Sequence, residues 1–368
     1  SNDWPLYDGS ALARRGIVVV TVNARLGFEG FTPLDGAPDN RAALDWLAAL
    51  RWVRDNIAAF GGDPDAVTLA GQSAGGGATA ALLTASAARG LFRRAIVLSA
   101  TTPSLDRELA YRRGARLLHS LGVAPTRAGL ASVPEDALVA AAAAAYGPGW
   151  RVADPVQRVR NMLVGPPFRL VADAQLGIGE VLDASRAGAG AGVRVLAGHT
   201  AAEFTGQFAA LGDRVDEAVL DAALAELGGP GPAVRRAYRE RYGGLSPAAT
   251  LGQAYTDAVF RLSNHRLASA RRAGGGTTYV YEFSGADAGS AAHGADVPHV
   301  FGTAGGPAPE DTGRDLQDAV VLFVTSGEPG WEPYDRGGLV HRFGPDGREP
   351  AALAWERDVW PADRIPGR

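Results

Sequence analysis

The chain contains no cysteine, no lysine and a single methionine among 368 residues. Without cysteine there can be no disulfide, no thiolate nucleophile and no cysteine-ligated metal. All 36 basic residues are arginine, which excludes Schiff-base chemistry and Ser-Lys dyads. No apolar run approaches the roughly 20 residues of a membrane span. A strong charge of either sign is missing too. The net charge is −4, so nothing draws the chain to nucleic acid or to an anionic membrane. The lack of cystine leaves both cytoplasm and secretion open. What remains is 46% hydrophobic and 21% charged, an ordinary globular composition. Its length is one that α/β folds often accommodate in a single domain.

Hydrophobic patterning gives an alternation of strands and helices. The β-branched run at residues 17–23 (IVVVTVN) predicts a buried strand. Pro38, Asp39 and Asn40 mark a helix start, and Leu44, Leu47, Val53 and Ile57 fall on one helical face. Gly61-Gly62-Asp63-Pro64 ends that helix. Further strands are predicted at 67–70, 94–99, 193–197 and 277–283. An Ala-rich helix is expected to about residue 88, with others at 216–227, 233–242, 248–273 and 316–325. The tail reads as irregular. This is the pattern of a mostly parallel central sheet with helices on both faces, here one domain over 1–368 with a mostly helical insertion at about 103–186. Chemistry in such folds sits at the carboxyl ends of the strands.

Gly71-Gln72-Ser73-Ala74-Gly75 fits G-x-S-x-G between a predicted strand and a small-residue helix. That context makes an elbow: the serine at the apex of a strained turn, with small residues two before and two after because the backbones nearly touch. Ser73 is the candidate nucleophile. The Ala74 N–H, near the helix N-terminus, is a candidate oxyanion donor. Serine needs an adjacent base, for which six histidines are available: His119, His199, His265, His293, His299 and His341. In the elbow fold the order is serine, acid, histidine, with the histidine on a loop after a late strand.

The residues around the elbow resemble the type-B carboxylesterase family, the cholinesterase-like and para-nitrobenzyl-esterase-like branch of the α/β-hydrolases. Residues 40–76 read NRAALDWLAALRWVRDNIAAFGGDPDAVTLAGQSAGG, similar to that family's helix, strand and elbow. Residues 19–27 and 91–99 resemble the strands on either side. Trp46 stands where the family usually has Gln, and Leu98-Ser99-Ala100 replaces its usual Gln-Ser-Gly. The resemblance implies an α/β-hydrolase fold, a small-molecule carboxylic ester as substrate, an acyl-enzyme route, and no metal or organic cofactor. It places His293, in AHGADVPHVFG, on the base position, with His299 the nearest rival. It places Glu203, in the loop GHTAAEF, on the acid position, with Asp173 and Asp296 as rival acids. It also implies a hydrogen bond from Ser99 to the acid and a structural ion pair between Arg25 and Asp63. Trp150, Met162, Phe204 and Phe208 are read as apolar core that could line a pocket.

One expected part is missing. The family draws further oxyanion donors from an HGGG-type loop ahead of the segment Trp4-Pro5-Leu6-Tyr7, and no such loop occurs here. The strand leading into it would lie between residues 17–23 and 67–70. The expectation is therefore an N-terminally incomplete catalytic domain. The alternative is a catalytically dead fragment, or a non-catalytic cholinesterase-like binding protein.

Overall fold

The structure, a computed structural model, describes residues 4–101, 106–150, 152–165, 167–285, 291–304, 310–334, 338–344, 351–352 and 359–360. A six-stranded sheet runs in the order β1 (Thr68–Gln72), β2 (Arg94–Leu98), β3 (Arg194–Thr200), β4 (Thr278–Phe283), β5 (Leu339–Phe343), β6 (Ala351–Ala352). The first five are parallel, and β6 turns back antiparallel on β5. Strand order equals chain order, so each crossover adds its strand to the same side of the sheet.

Period-two alternation divides the strand residues between two cores. Ala95 and Val97 of β2 and Val280 of β4 face the helix α1 (Arg41–Asn56) and the helix α2 (Ala74–Thr84). Ile96, Leu98, Tyr279, Tyr281 and Phe283 face the helix Glu310–Ser326, whose Leu316, Val320 and Phe323 complete the second core. Burial on both faces is what a parallel sheet requires, and β4 is buried at every position. A third cluster is helical. It joins Met162, Phe204, Phe208, Tyr238, Tyr255 and Phe260 beyond the carboxyl end of β3. Phe208 and Met162 are core there, and the Trp150 side chain lies outside the described residues.

Three expectations need correction. Residues 17–23 form no strand. Val18, Val20 and Val22 are 41%, 42% and 49% exposed, and no ladder partner for them exists among the described residues. A β-branched run favours extended backbone, but pairing needs a neighbour, and β1 bonds only β2. Residues 248–273 are not one α-helix. The α-helices Pro247–Tyr255 and Leu262–Ala273 flank a π-helical turn, Thr256–Arg261. The tail is not wholly irregular, because it supplies β5 and β6. No helix among the described residues is long and apolar enough to cross a membrane.

The start of α1 is tied into the fold in an unexpected way. Asn40 adopts φ 49° and does not cap the helix. Its amide instead donates to Val171 O and accepts from Val171 N, both at 2.9 Å, pinning the helix start to a segment 131 residues away.

Candidate active site

β1 ends at Gln72 and turns into α2 through Ser73. Ser73 has φ 56° and ψ −116°, a conformation that side-chain-bearing residues rarely adopt. Backbone hydrogen bonds hold it there: Ser73 N donates to Leu98 O and Gly77 N donates to Ser73 O, each at 2.9 Å. A Cβ on Gly71 would lie 2.1 Å from Gly75 O, so β1 and α2 come together only with glycine at 71. Gly75 itself faces open space. Its carbonyl forms the contact, so the requirement for a small residue falls on Gly71 and not on the Gly75 side chain position. Ser73 is half-buried and Ala74 exposed.

Glu203 lies just past β3 and is buried. Its Oε1 accepts from Ser99 Oγ at 2.7 Å and from Thr200 N at 2.9 Å. Its Oε2 is 2.5 Å from His293 Nδ1. The two residues are joined a second time, because His293 N donates to Glu203 O at 2.9 Å. With the ring's Nδ1–H directed at the carboxylate, a neutral His293 leaves Nε2 as an acceptor. That nitrogen is 3.2 Å from Gln72 Nε2. Among the described residues no hydrogen bond joins it to Ser73 Oγ; such contacts often tighten only with substrate present.

Two phenyl rings pack against the imidazole, Phe204 at 5.2 Å and Phe260 at 5.1 Å between centroids. They stack on each other at 5.4 Å. Phe260 belongs to the π-helical turn, whose Thr256 Oγ1 accepts from Phe204 N at 3.2 Å. Such turns are frequent at functional sites. Beneath the turn, Glu282 binds Arg261 at 2.6 Å and Arg342 at 3.0 Å. Burial alone would raise the Glu282 carboxyl, but Arg261, His199 and Arg342 together hold it well below the usual range.

The rival residues lie elsewhere. His299 packs on Phe283, and burial pushes its pKa down. His199 is buried 3.5 Å from Glu282. His265 meets the Tyr334 hydroxyl at 3.0 Å, and His341 stacks on Trp331. His119 closes the helix Arg107–Ser120. Asp173 organises its own turn, accepting from Gln175 N and Leu176 N. Asp296 accepts from the Tyr281 hydroxyl at 2.7 Å through Oδ2, while its buried Oδ1 has no partner. Burial pushes the Asp296 carboxyl up to about 6, with nearby Glu203 adding to the rise and the Tyr281 hydrogen bond opposing it.

That shift has a signed consequence. The folded-state value lies above the unfolded one near 3.9, so the native state holds this proton more tightly. Between about pH 4 and pH 6 the contribution of Asp296 to wild-type stability therefore falls as pH rises. Asp296→Asn stays neutral throughout. Its stability relative to wild type should improve by on the order of 2–3 kcal/mol from pH 4 to pH 7.5. Urea midpoints measured across that range check it, and a constant difference would reject it.

Arg25 and Asp63 do not pair. The Arg25 guanidinium forks onto Asp45 of α1, with Nη2 to Oδ1 at 2.6 Å and Nε to Oδ2 at 2.9 Å. Asp63 instead accepts from Asp65 N at 2.8 Å and caps the short helix Pro64–Ala66. Asp45 wins because the Arg25 backbone N–H also reaches it, which fixes the two side by side.

Sequence reasoning missed Gln72, Thr200 and Phe260 as neighbours of this cluster. Gln72 carried a signal, being the residue the G-x-S-x-G pattern leaves open just before the serine. Phe260 and Thr200 carried none, because nothing in a helical periodicity announces a π-helical turn and a strand-end backbone N–H has no side-chain signature.

The Carboxylesterase family model matches residues 1–159. The chain is 51% identical over 124 residues to the para-nitrobenzyl esterase of Bacillus subtilis, covering 32% of this chain and 25% of that protein. It is 47% identical over 115 residues to the fumonisin B1 esterase of Sphingopyxis macrogoltabida, covering 29% and 21%. The match thus spans about a quarter of the length of these curated relatives. Solved structures align far more widely. A PNB esterase superposes with TM-score 0.80 and 30% identity over 97% of this chain and 78% of its own. A Geobacillus stearothermophilus carboxylesterase does so with TM-score 0.82 and 30% identity over 98% and 79%. Fold, elbow and extended similarity agree: this chain belongs to the carboxylesterase family, within the α/β-hydrolase superfamily.

Proposed function

We propose that the chain hydrolyses small carboxylic esters through an acyl-enzyme, with Ser73 as nucleophile, His293 as general base and acid, and Glu203 as the group that orients the ring. The observation that carries this is the tie between Glu203 and His293. A buried carboxylate 2.5 Å from Nδ1 holds the Nδ1–H and so presents Nε2 as the basic nitrogen of the ring. Ser73 Oγ attacks the ester carbonyl while its proton passes to Nε2. The tetrahedral oxyanion is met by Ala74 N–H at the start of α2. The protonated ring then gives its proton to the departing alcohol. Water, deprotonated by the same nitrogen, releases the acid and restores the serine. Phe204 and Phe260 pack against the ring, and Ser99 holds the far carboxylate oxygen.

Fluorophosphonate labelling read by intact mass tests the proposal. One adduct per chain, located at Ser73 and lost in Ser73→Ala, is the expected result. A folded chain that takes up no label would favour a non-catalytic binding role instead.

A further inference from the structure

The polar contact that His293 Nε2 makes is with Gln72 and not with the serine. The chemistry of the contact is fixed by the other side of the ring. Glu203 holds Nδ1–H, so Nε2 is an acceptor, and the Gln72 amide is the donor that fills it. Gln72 is placed there by covalent geometry. It is the last residue of β1, next to Ser73, and its side chain runs along Gly294, where an added Cβ would meet Nε2 at 3.3 Å. Gly294 has φ +77°, so the loop after His293 turns tightly against the amide.

For Ser73 to pass its proton to Nε2, that one lone pair must serve donors on two adjacent residues. We propose that Gln72 is a positioning residue that latches His293: in the resting site its amide occupies Nε2, holds the ring in the correct tautomer, and must be displaced by Ser73 Oγ before the proton can move. The inference rests on the serine-hydrolase reading above. It goes further by assigning a competing, reversible contact to the position between Gly71 and the nucleophile. The latch keeps Nε2 satisfied in a half-buried site, and its release costs one neutral hydrogen bond. Gln72→Met keeps the length and apolar packing of the side chain while removing the donor. Gln72→Glu replaces the donor with a carboxylate that pairs with the protonated ring.

The test measures the rate of phosphonylation by a fluorophosphonate across pH 5–9 for the three proteins, with a thermal melt for each. Gln72→Met should react about two- to tenfold faster, the equilibrium worth of one neutral hydrogen bond removed from competition. Gln72→Glu should move the acid limb of the profile to higher pH by about one unit, the usual effect of an opposite charge within hydrogen-bonding reach. A Gln72→Met protein that melts like wild type and reacts no faster overturns the latch. A second readout does not depend on reactivity. In 15N spectra of ring-labelled protein, the His293 Nε2 resonance should shift between wild type and Gln72→Met while Nδ1 stays in place; coincident Nε2 signals would also overturn it. Failure of the serine-hydrolase reading has a different signature, namely wild type without label at Ser73 whatever the Nε2 signal shows.

Discussion

Glu203→Gln is expected to lower kcat for a chromogenic ester by about 10⁴, the loss seen when the orienting acid of such a site becomes an amide. The substitution preserves volume and, in this structure, most of the surroundings. His293 N still donates to the residue 203 carbonyl, and Ser99 and Thr200 still have an oxygen to bond. What changes is the group facing Nδ1. An amide NH₂ there donates, so Nδ1 becomes the acceptor and the proton settles on Nε2. A ring in that tautomer has no lone pair for the serine proton. The loss of negative charge also removes the partner that stabilises the imidazolium during turnover. Steady-state kinetics at pH 8, with melting temperatures as a control, decide the matter. A loss smaller than tenfold in a folded variant would remove Glu203 from this role.

Gly71→Ala is the second large effect, and it acts on the fold. The added methyl would sit 2.1 Å from Gly75 O, 2.3 Å from Gly75 C and 2.7 Å from Thr79 Oγ1. Two of those are backbone atoms of α2, so relief requires moving the helix away from β1. α2 is buried along nearly its whole length, so such a movement disturbs the core beneath Leu82 and Leu83. We expect destabilisation of about 3 kcal/mol or more, the upper end for overpacking, and failure to label at Ser73. Gly75→Ala is the matched control. Its Cβ meets nothing within 4 Å, and stability should hold or rise slightly, as for glycine replaced in a helix. Urea unfolding of both variants measures the contrast. Equal stabilities would reject the close approach of β1 and α2.

Much of this site is legible because the residues involved obey local rules. Gly71 through Gly77 announces a tight strand-to-helix turn, and the strand before it and the helix after it have unambiguous periodicities. His293 and Glu203 needed the resemblance, since their loops carry no pattern of their own. Arg25 misled for a physical reason: which acid an arginine meets is set by backbone geometry, which only the fold provides. Residues 17–23 misled for another. Their composition dictates an extended backbone, whereas membership of a sheet depends on a second chain segment lying 4.7–4.9 Å away. The π-helical turn was hidden because one extra residue in a helix leaves the apolar spacing nearly intact, yet it brings Phe260 to the imidazole.

The position of β1 has a consequence for the molecule's behaviour in company. It is the terminal strand of the sheet, and its outer row of N–H and C=O groups from Thr68 to Gln72 has no ladder partner among the described residues. An edge of this kind is a template for any extended peptide that can add to it. The same strand delivers Gln72 and Ser73, so a segment that docked there would end its run beside Ser73. A change that protects the edge, such as a charge or a proline, also lies within a few residues of the strained turn at Ser73.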